Sequence, residues 1–219
     1  MLSHSALMDG VYHRQRHLYD FTRKFYLFGR DSLIRELRLH PGERVVEIGC
    51  GTARNLIALA RRYPGTALYG LDASGEMLRT AEESVNRAGL RGQIRLVKGL
   101  AEELSPGLFG EDEPFDRVVF SYSLSMIPPW KQSLEAAVRA LKPGGELAVV
   151  DFGDFERLPR PFATLMNRWL ALFHVSPRVR LLNAIESRPL ANGEDLRILP
   201  GRYAFVWRGS AHRVQALPD

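Results

Sequence analysis

The stretch Val45-Val46-Glu47-Ile48-Gly49-Cys50-Gly51-Thr52-Ala53-Arg54-Asn55 decides how the rest of the chain reads. Val45, Val46 and Ile48 are β-branched and favour extended backbone, whereas Leu56, Ile57, Leu59 and Ala60 follow helical spacing. Gly49-Cys50-Gly51 is then a tight turn from strand into helix. Its glycines let a ligand approach the backbone, and the N–H groups opening the helix favour electronegative ligand atoms. Asp72 stands twenty-one residues after Gly51, at the end of the strand-like run from Ala67 to Leu71, an offset suited to accepting from ribose hydroxyls. Together these features predict a nucleotide-binding α/β unit.

Working outward, the spacing predicts strand 44–48, helix 54–63, strand 67–72, helix 75–88, strand 94–98, strand 116–121, helix 131–141 and strand 146–151. Strands alternating with helices imply an α/β fold with a mostly parallel sheet covered on both faces. Gly89 ends one helix, and Lys142-Pro143-Gly144-Gly145 turns into the last parallel strand. Leu196 to Leu199, Pro200-Gly201 and Tyr203 to Trp207 read as a C-terminal hairpin. The acidic residues from Glu102 to Asp116 read as a solvated loop, with Asp116 itself structural.

Two segments outside this alternation are basic and amphipathic. Residues 11–39 read as helical with only Gly29 as a break; Tyr12, Tyr19 and Tyr26 recur every seven positions, and seven basic residues outnumber three acidic ones. The apolar positions 162, 165, 166, 169, 170 and 173 also follow helical spacing, and residues 157–180 hold five Arg and no acid. A further helical piece is predicted over about 178–191. The organisation expected is one domain: an amphipathic helical cap over 1–39, a core over 40–208 with a helical insertion at 157–191, and a frayed tail at 209–219.

At 219 residues, 45% hydrophobic and 25% charged, the chain is the size of one globular domain with a substantial core. The formal net charge is +5, and only four of the thirty cationic residues are Lys. That arginine bias suits phosphate and carboxylate recognition, or reflects genome composition. Cys50 is the single cysteine, so no internal disulfide is available; no Cys/His cluster has zinc spacing, and no metal is expected. No run reaches the ~18 apolar residues that span a bilayer. The expected location is the cytoplasm, peripheral to the inner face of the membrane.

The chemistry is narrowed by what the turn lacks. Arg54 occupies the position where a dinucleotide motif has its third glycine, and there is no Lys-Ser/Thr of a phosphate loop. Glu47 suits a cationic ligand group such as an amino acid ammonium. With Asp72 for a ribose, the implied ligand is a nucleoside carrying an amino acid. At this point the sequence resembles the class I S-adenosylmethionine-dependent methyltransferases: Val46 to Thr52 is similar to their first motif, Gly70 to Leu78 to the second, and Leu141 to Gly145 to the turn before the fifth strand. The resemblance covers about residues 40–208. It implies a Rossmann-like, seven-stranded, mostly parallel sheet with a C-terminal antiparallel hairpin and an N-terminal amphipathic helical extension. S-Adenosyl-L-methionine is the implied cofactor, held by Tyr19, Lys24, Glu47, Gly49, Cys50, Gly51, Asn55, Asp72, Ala73, Met77, Gly99, Leu100, Ala101 and Ser121. Two departures stand out: Ala53, where many members have glycine, and Leu100, where an acidic residue often contacts adenine.

A closer likeness lies outside those motifs. Tyr12 to Asp20, Thr22 to Tyr26, Phe120 to Trp130, Val150 to Gly153 and Phe173 to Arg178 resemble the bacterial betaine-lipid N-methyltransferases, which trimethylate diacylglyceryl homoserine and are similar to phosphatidylethanolamine N-methyltransferases. The resemblance implies Tyr19, Tyr122 and His174 as catalytic, and Tyr26, Tyr122, Met126, Asp151 and His174 as contacts to the substrate. Tyr19, Tyr26 and Tyr122 would attract a quaternary ammonium by cation–π contact, or pack as ordinary core residues. The partners implied are a lipid substrate and an anionic membrane surface met through 11–39 and 157–180, with no nucleic acid. A nucleic-acid methyltransferase is disfavoured because Ser121-Tyr122-Ser123-Leu124 lacks the Asn/Asp-Pro-Pro-aromatic motif, and a protein that binds cofactor without turnover remains the non-enzymatic alternative.

Overall fold

The computed structural model describes residues 27–187, 189–190 and 193–210. Seven strands form one sheet: β1 Arg44–Ile48, β2 Ala67–Asp72, β3 Ile94–Lys98, β4 Phe115–Ser121, β5 Leu141–Phe152, β6 Asp195–Ile198 and β7 Ala204–Ser210. Their spatial order is β3-β2-β1-β4-β5-β7-β6. β1 to β5 pair in parallel, while β7 runs antiparallel between β5 and β6. The mostly parallel sheet is what the alternation predicts, and its seven strands with the antiparallel β7 make the Rossmann-like methyltransferase fold that the resemblance implies.

The helices are α1 Arg30–Glu36, α2 Arg54–Arg62, α3 Gly75–Arg87, α4 Trp130–Ala140, α5 Arg160–Ala171 and α6 Val179–Glu186. Leu33 comes from α1 and Leu37 from its C-terminal cap, Leu56 and Leu59 come from α2, and Ala81 and Val85 from α3; all join one buried cluster with Val45, Leu68 and Val119. On the opposite sheet face, Leu134 and Ala137 of α4 and Leu181, Leu182 and Ile185 of α6 pack with Val46, Ile48, Val149 and Trp207. Strands buried on both faces explain why β1 reads as an almost unbroken apolar run. Each such aliphatic side chain contributes about 1.5–3 kcal/mol by leaving water.

Several boundaries differ from the sequence expectation. Within the described residues the helix expected over 11–39 is limited to Arg30–Glu36, because Gly29 adopts φ 84° and starts α1 rather than continuing an earlier turn. Residues 11–26, including Tyr12, His13, His17, Tyr19, Lys24 and Tyr26, lie outside the described residues. β5 begins at Leu141, five residues earlier than expected: Leu141 pairs with Phe115 and Glu146 with Arg117, so Lys142-Pro143-Gly144-Gly145 forms an irregularity inside the strand. The helix expected over 178–191 is the shorter α6, and the tail beyond Ser210 lies outside the described residues.

The strand order reverses where β4 lies on the other side of β1 from β2. In an open parallel sheet such a reversal leaves a crevice beyond the carboxyl ends of the strands. The turn after β1 and the loop after β4 meet there.

Candidate active site

The Gly49 turn is shaped by backbone requirements. Gly49 and Gly51 have φ 70° and 54°. The Gly49 and Cys50 N–H groups both donate to the Leu71 carbonyl, at 2.8 and 3.1 Å, tying the turn to the end of β2. A Cβ on Gly49 would lie 2.5 Å from Ser123 Cβ, and Ser123 Oγ donates to the Ile48 carbonyl at 2.7 Å. The loops after β1 and β4 therefore touch with no room for a side chain. Ala53, the departure noted in the motif, begins α2 at φ 60°, so it takes the left-handed conformation that glycine adopts without strain. Its side chain is fully buried, which explains how a methyl group is tolerated there.

Two cavities of about 640 and 630 Å³ open on either side of Gly49. The first is lined by Asp72, Ala73, Gly99, Leu100, Ala101, Tyr122 and Met126 among others. Asp72 is held at its rim, Oδ2 accepting from Gly51 N–H at 2.8 Å and Oδ1 from Ser74 N–H at 2.9 Å. The second is lined by Glu47, Gly49, Cys50, Asn55 and Ser121. Here Glu47 is buried, and its Oε1 accepts from Asn55 Nδ2 at 2.6 Å. Burial, then the nearby Asp72 and Glu47 carboxylates, push the Cys50 thiol well above its ordinary pKa, so it stays protonated and unreactive.

Other expected residues stand elsewhere. Met77 is buried behind the first cavity, packed against Met126 and Phe173 rather than lining the space. Tyr122 lines the cavity at φ 55°, an unusual conformation for an aromatic residue, but its hydroxyl donates to the Phe28 carbonyl and its ring packs on Phe152 at 4.7 Å. It is thus a tether for the segment preceding α1 as well as a wall. Asp151, expected to touch substrate, lines neither cavity: it is fully buried and accepts from Ser125 N–H at 2.9 Å and Phe152 N–H at 2.8 Å. His174 is exposed, follows α5 at φ 56° and also lines neither cavity.

Ser123 lines the first cavity with Tyr122, as the loop after β4 was expected to, while sequence reasoning assigned no site role to Ile127 and Pro129 in that cavity or to Arg30, Thr52 and Arg54 in the second. Glu102 was assigned to a solvated acidic loop yet lines the first cavity. Its position two residues after Leu100 offers a carboxylate where the motif comparison found none. Arg30 is buried, and only the fold carries it to the Glu47 side. Asp116 does play the structural role expected, accepting from Arg44 N–H at 2.9 Å.

Residues 45–145 match the family described as "Methyltransferase domain". That stretch, somewhat under half of the chain, is similar to a methyltransferase domain. A demethylmenaquinone methyltransferase of Geobacillus kaustophilus is 34% identical over 135 residues, covering 61% of this chain and 55% of that protein. The chain thus spans about half the length of this curated relative. A solved S-adenosylmethionine-dependent methyltransferase of Aquifex aeolicus superposes with a TM-score of 0.61 at 21% identity, over 89% of this chain and 95% of the other. One from Thiobacillus denitrificans, solved with S-adenosyl-L-homocysteine, gives a TM-score of 0.52 at 20% identity over 68% and 61% of the two chains.

S-Adenosyl-L-methionine is the cofactor of this domain, and the residues present fit it. Gly49, which has no side chain, lines both cavities. The fixed Asp72 carboxylate suits a ribose diol, and the buried Glu47–Asn55 pair suits an ammonium group. When bound, the cofactor supplies an electrophilic methyl group on a sulfonium.

Proposed function

We propose that this chain is an N-methyltransferase acting on the amino headgroup of a membrane lipid, with successive methylation of diacylglyceryl homoserine to its trimethyl betaine as the first reading and phosphatidylethanolamine as the alternative acceptor. The observation that carries this reading is the outer surface of α5. Phe162, Leu165 and Leu172 are 47, 64 and 70% exposed, and at spacings of three and seven residues they share one side of the helix with half-buried Trp169. Arg157, Arg160 and Arg168 are exposed beside them, with no acid in 157–180. Ala163, Met166 and Leu170 take the other side onto the core. A second apolar stripe with basic flanks suits insertion at an anionic lipid surface, at about 1 kcal/mol for each basic residue near it. Among the described residues no helix is long and apolar enough to cross a membrane.

The chemistry asks little of the side chains beyond alignment and exclusion of water. The neutral amine nitrogen forms a bond to the methyl carbon as the sulfur–carbon bond breaks and the sulfur keeps the electron pair; after each of the first two transfers the new ammonium loses a proton to water, and the third leaves a quaternary ammonium with none to lose. Gly49 and Ser123 close the backbone around the meeting point of the cavities. Tyr122 offers an aromatic wall for the growing positive charge. Tyr19, Lys24 and Tyr26 are proposed to complete the site from the N-terminal segment, and His174 to meet the headgroup at the surface.

A second reading, methylation of a ring carbon on a lipophilic quinol, is favoured by the name of the Geobacillus kaustophilus relative. The test incubates the full chain and labelled methyl donor with vesicles containing diacylglyceryl homoserine, phosphatidylethanolamine or reduced demethylmenaquinone, beside RNA and water-soluble amines. Label in an aminolipid headgroup is the expected result, and label in the quinol alone would move the assignment to the second reading. Label confined to RNA or soluble amines would overturn both.

A further inference from the structure

We propose that Arg178 and Asp151 are positioning residues for the cofactor pocket: Asp151 holds an N–H and Arg178 the carbonyls of the short 3-10 turn Leu124–Met126 and of Ile127 just after it, so that the segment carrying α5 and α6 sets one wall of the first cavity. Arg178 Nε donates to the Leu124 carbonyl at 2.8 Å and Nη2 to the Ile127 carbonyl at 2.6 Å, with a longer contact to the Ser125 carbonyl at 3.5 Å. Asp151 Oδ2 accepts from Ser125 N–H at 2.9 Å. A one-turn helix leaves N–H groups at its start and carbonyls at its end without internal partners. The Asp151 carboxylate takes the Ser125 N–H, and the Arg178 guanidinium takes the Leu124 carbonyl beside its intraturn bond and the Ile127 carbonyl beyond the turn.

The grip reaches the pocket directly. Met126 and Ile127, at the end of the gripped turn, and Pro129 just beyond line the first cavity, and Met126 also packs on Met77 and Phe173. Ser176 N–H donates to the Ser125 carbonyl at 2.8 Å, a second link from the same segment to the same turn. The Arg178 guanidinium lies 6.0 Å from the Trp130 ring, which further fixes its plane. Burial pushes the Asp151 carboxyl up, against the hydrogen bonds from Ser125 and Phe152, and pushes the Arg178 guanidinium down, against the attraction of Asp151. A buried carboxylate and a part-buried guanidinium meet here on a single turn. A planar guanidinium fork reaches two carbonyls at once, which a lysine ammonium on one stem does not.

The inference rests on the first cavity being the cofactor pocket, and the experiment separates the two. Full-length wild type, Arg178→Met, Arg178→Lys and Arg208→Met would be titrated with S-adenosyl-L-homocysteine by calorimetry, with thermal melts and amide exchange on the same samples. Arg208 is the control because it too is part-buried and donates to a carbonyl, that of Glu36 at 2.8 Å, but lines neither cavity. Arg178→Met is expected to raise the Kd on the order of tenfold and to speed exchange at the Ser125 to Ile127 amides; Arg178→Lys should do so by less. Arg208→Met should lower the melt while leaving the Kd within about twofold. Unchanged Kd in Arg178→Met, or an equal loss in Arg208→Met, would overturn the positioning role. If Arg178→Met does not fold, a wild-type Kd in Arg178→Lys overturns it instead. Wild type that binds no S-adenosyl-L-homocysteine would overturn the pocket assignment itself.

Discussion

Around Gly49 the surface offered to a ligand is mostly backbone, whereas along α5 it is side chain. The glycine turn is held by bonds to its immediate neighbours in the sheet: Leu71 accepts from Gly49 and Cys50, Asp72 accepts from Gly51, and Ser123 closes the far side. Nothing in that arrangement can shift alone, because a single Cβ at Gly49 has no space. α5 is anchored on one side and carries Phe162, Leu165 and Leu172 outward on another. The difference teaches that the two surfaces are built by different means: the glycine turn by steric closure, the α5 face by a helix with apolar surface beyond what the core uses.

The severest way to break the comparison is Gly49→Ala. Positive φ and a 2.5 Å approach to Ser123 combine conformational strain with overpacking, expected to cost on the order of 3 kcal/mol and to abolish S-adenosyl-L-homocysteine binding. Urea melts and calorimetry would measure both. A variant that bound normally would show that the turn has more freedom than its contacts indicate.

The opposite pattern is expected on α5. The double variant Leu165→Asp, Leu172→Asp should lose co-sedimentation with vesicles rich in phosphatidylglycerol, by about tenfold, with cofactor binding and the melt near wild type, since both side chains are largely exposed. Loss of stability in place of vesicle binding would mean that this face packs against another part of the protein.

A smaller effect should come from the link between the segment and the sheet. Arg202 donates to both Asp154 and Glu186, at 2.7 to 2.8 Å. Burial opposes ionisation of Asp154, but hydrogen bonds from Arg202 outweigh it and hold the carboxyl below its usual range; Arg202 likewise holds Glu186 down. Carboxyls depressed in the folded state contribute stability above their ordinary pKa of about 4, and this is lost as pH falls through the depressed values. Arg202→Met should therefore be less stable than wild type at pH 7, with the gap narrowing below about pH 4. Melts across that range giving a constant gap would sink this account.

Most of the fold was legible because its signals are local. β-Branched runs, helical spacing and Gly49-Cys50-Gly51 act within a few residues, and β1, β2, β3 and α3 fall within a residue of their expected bounds. The hairpin was visible from Pro200-Gly201 between two apolar runs. Gly29 was read as a mere break, but at φ 84° it is the residue from which α1 starts, and a Cβ there would come within 3.0 Å of Val206. The site was half legible. Glu47, Gly49, Gly51, Asn55 and Asp72 follow from motif chemistry, while Arg30 and Glu102 carry no sequence mark, because what brings them to the cavities is the crossing of distant segments.

Asp151 and His174 show the limit most clearly. Both stand at positions that read as functional, one at a strand end and one at a helix end. A strand end does not say whether its side chain faces the crevice or the turn beneath it, and Asp151 takes the turn. Strand, turn and helix order, and with them the cofactor class, were determined by the sequence itself, since backbone preference and hydrophobic period are properties of neighbouring residues. Which polar side chains reach the ligand, and which hold the loops that do, was decided only in the tertiary structure, because those contacts join residues tens of positions apart and depend on the direction each side chain finally takes.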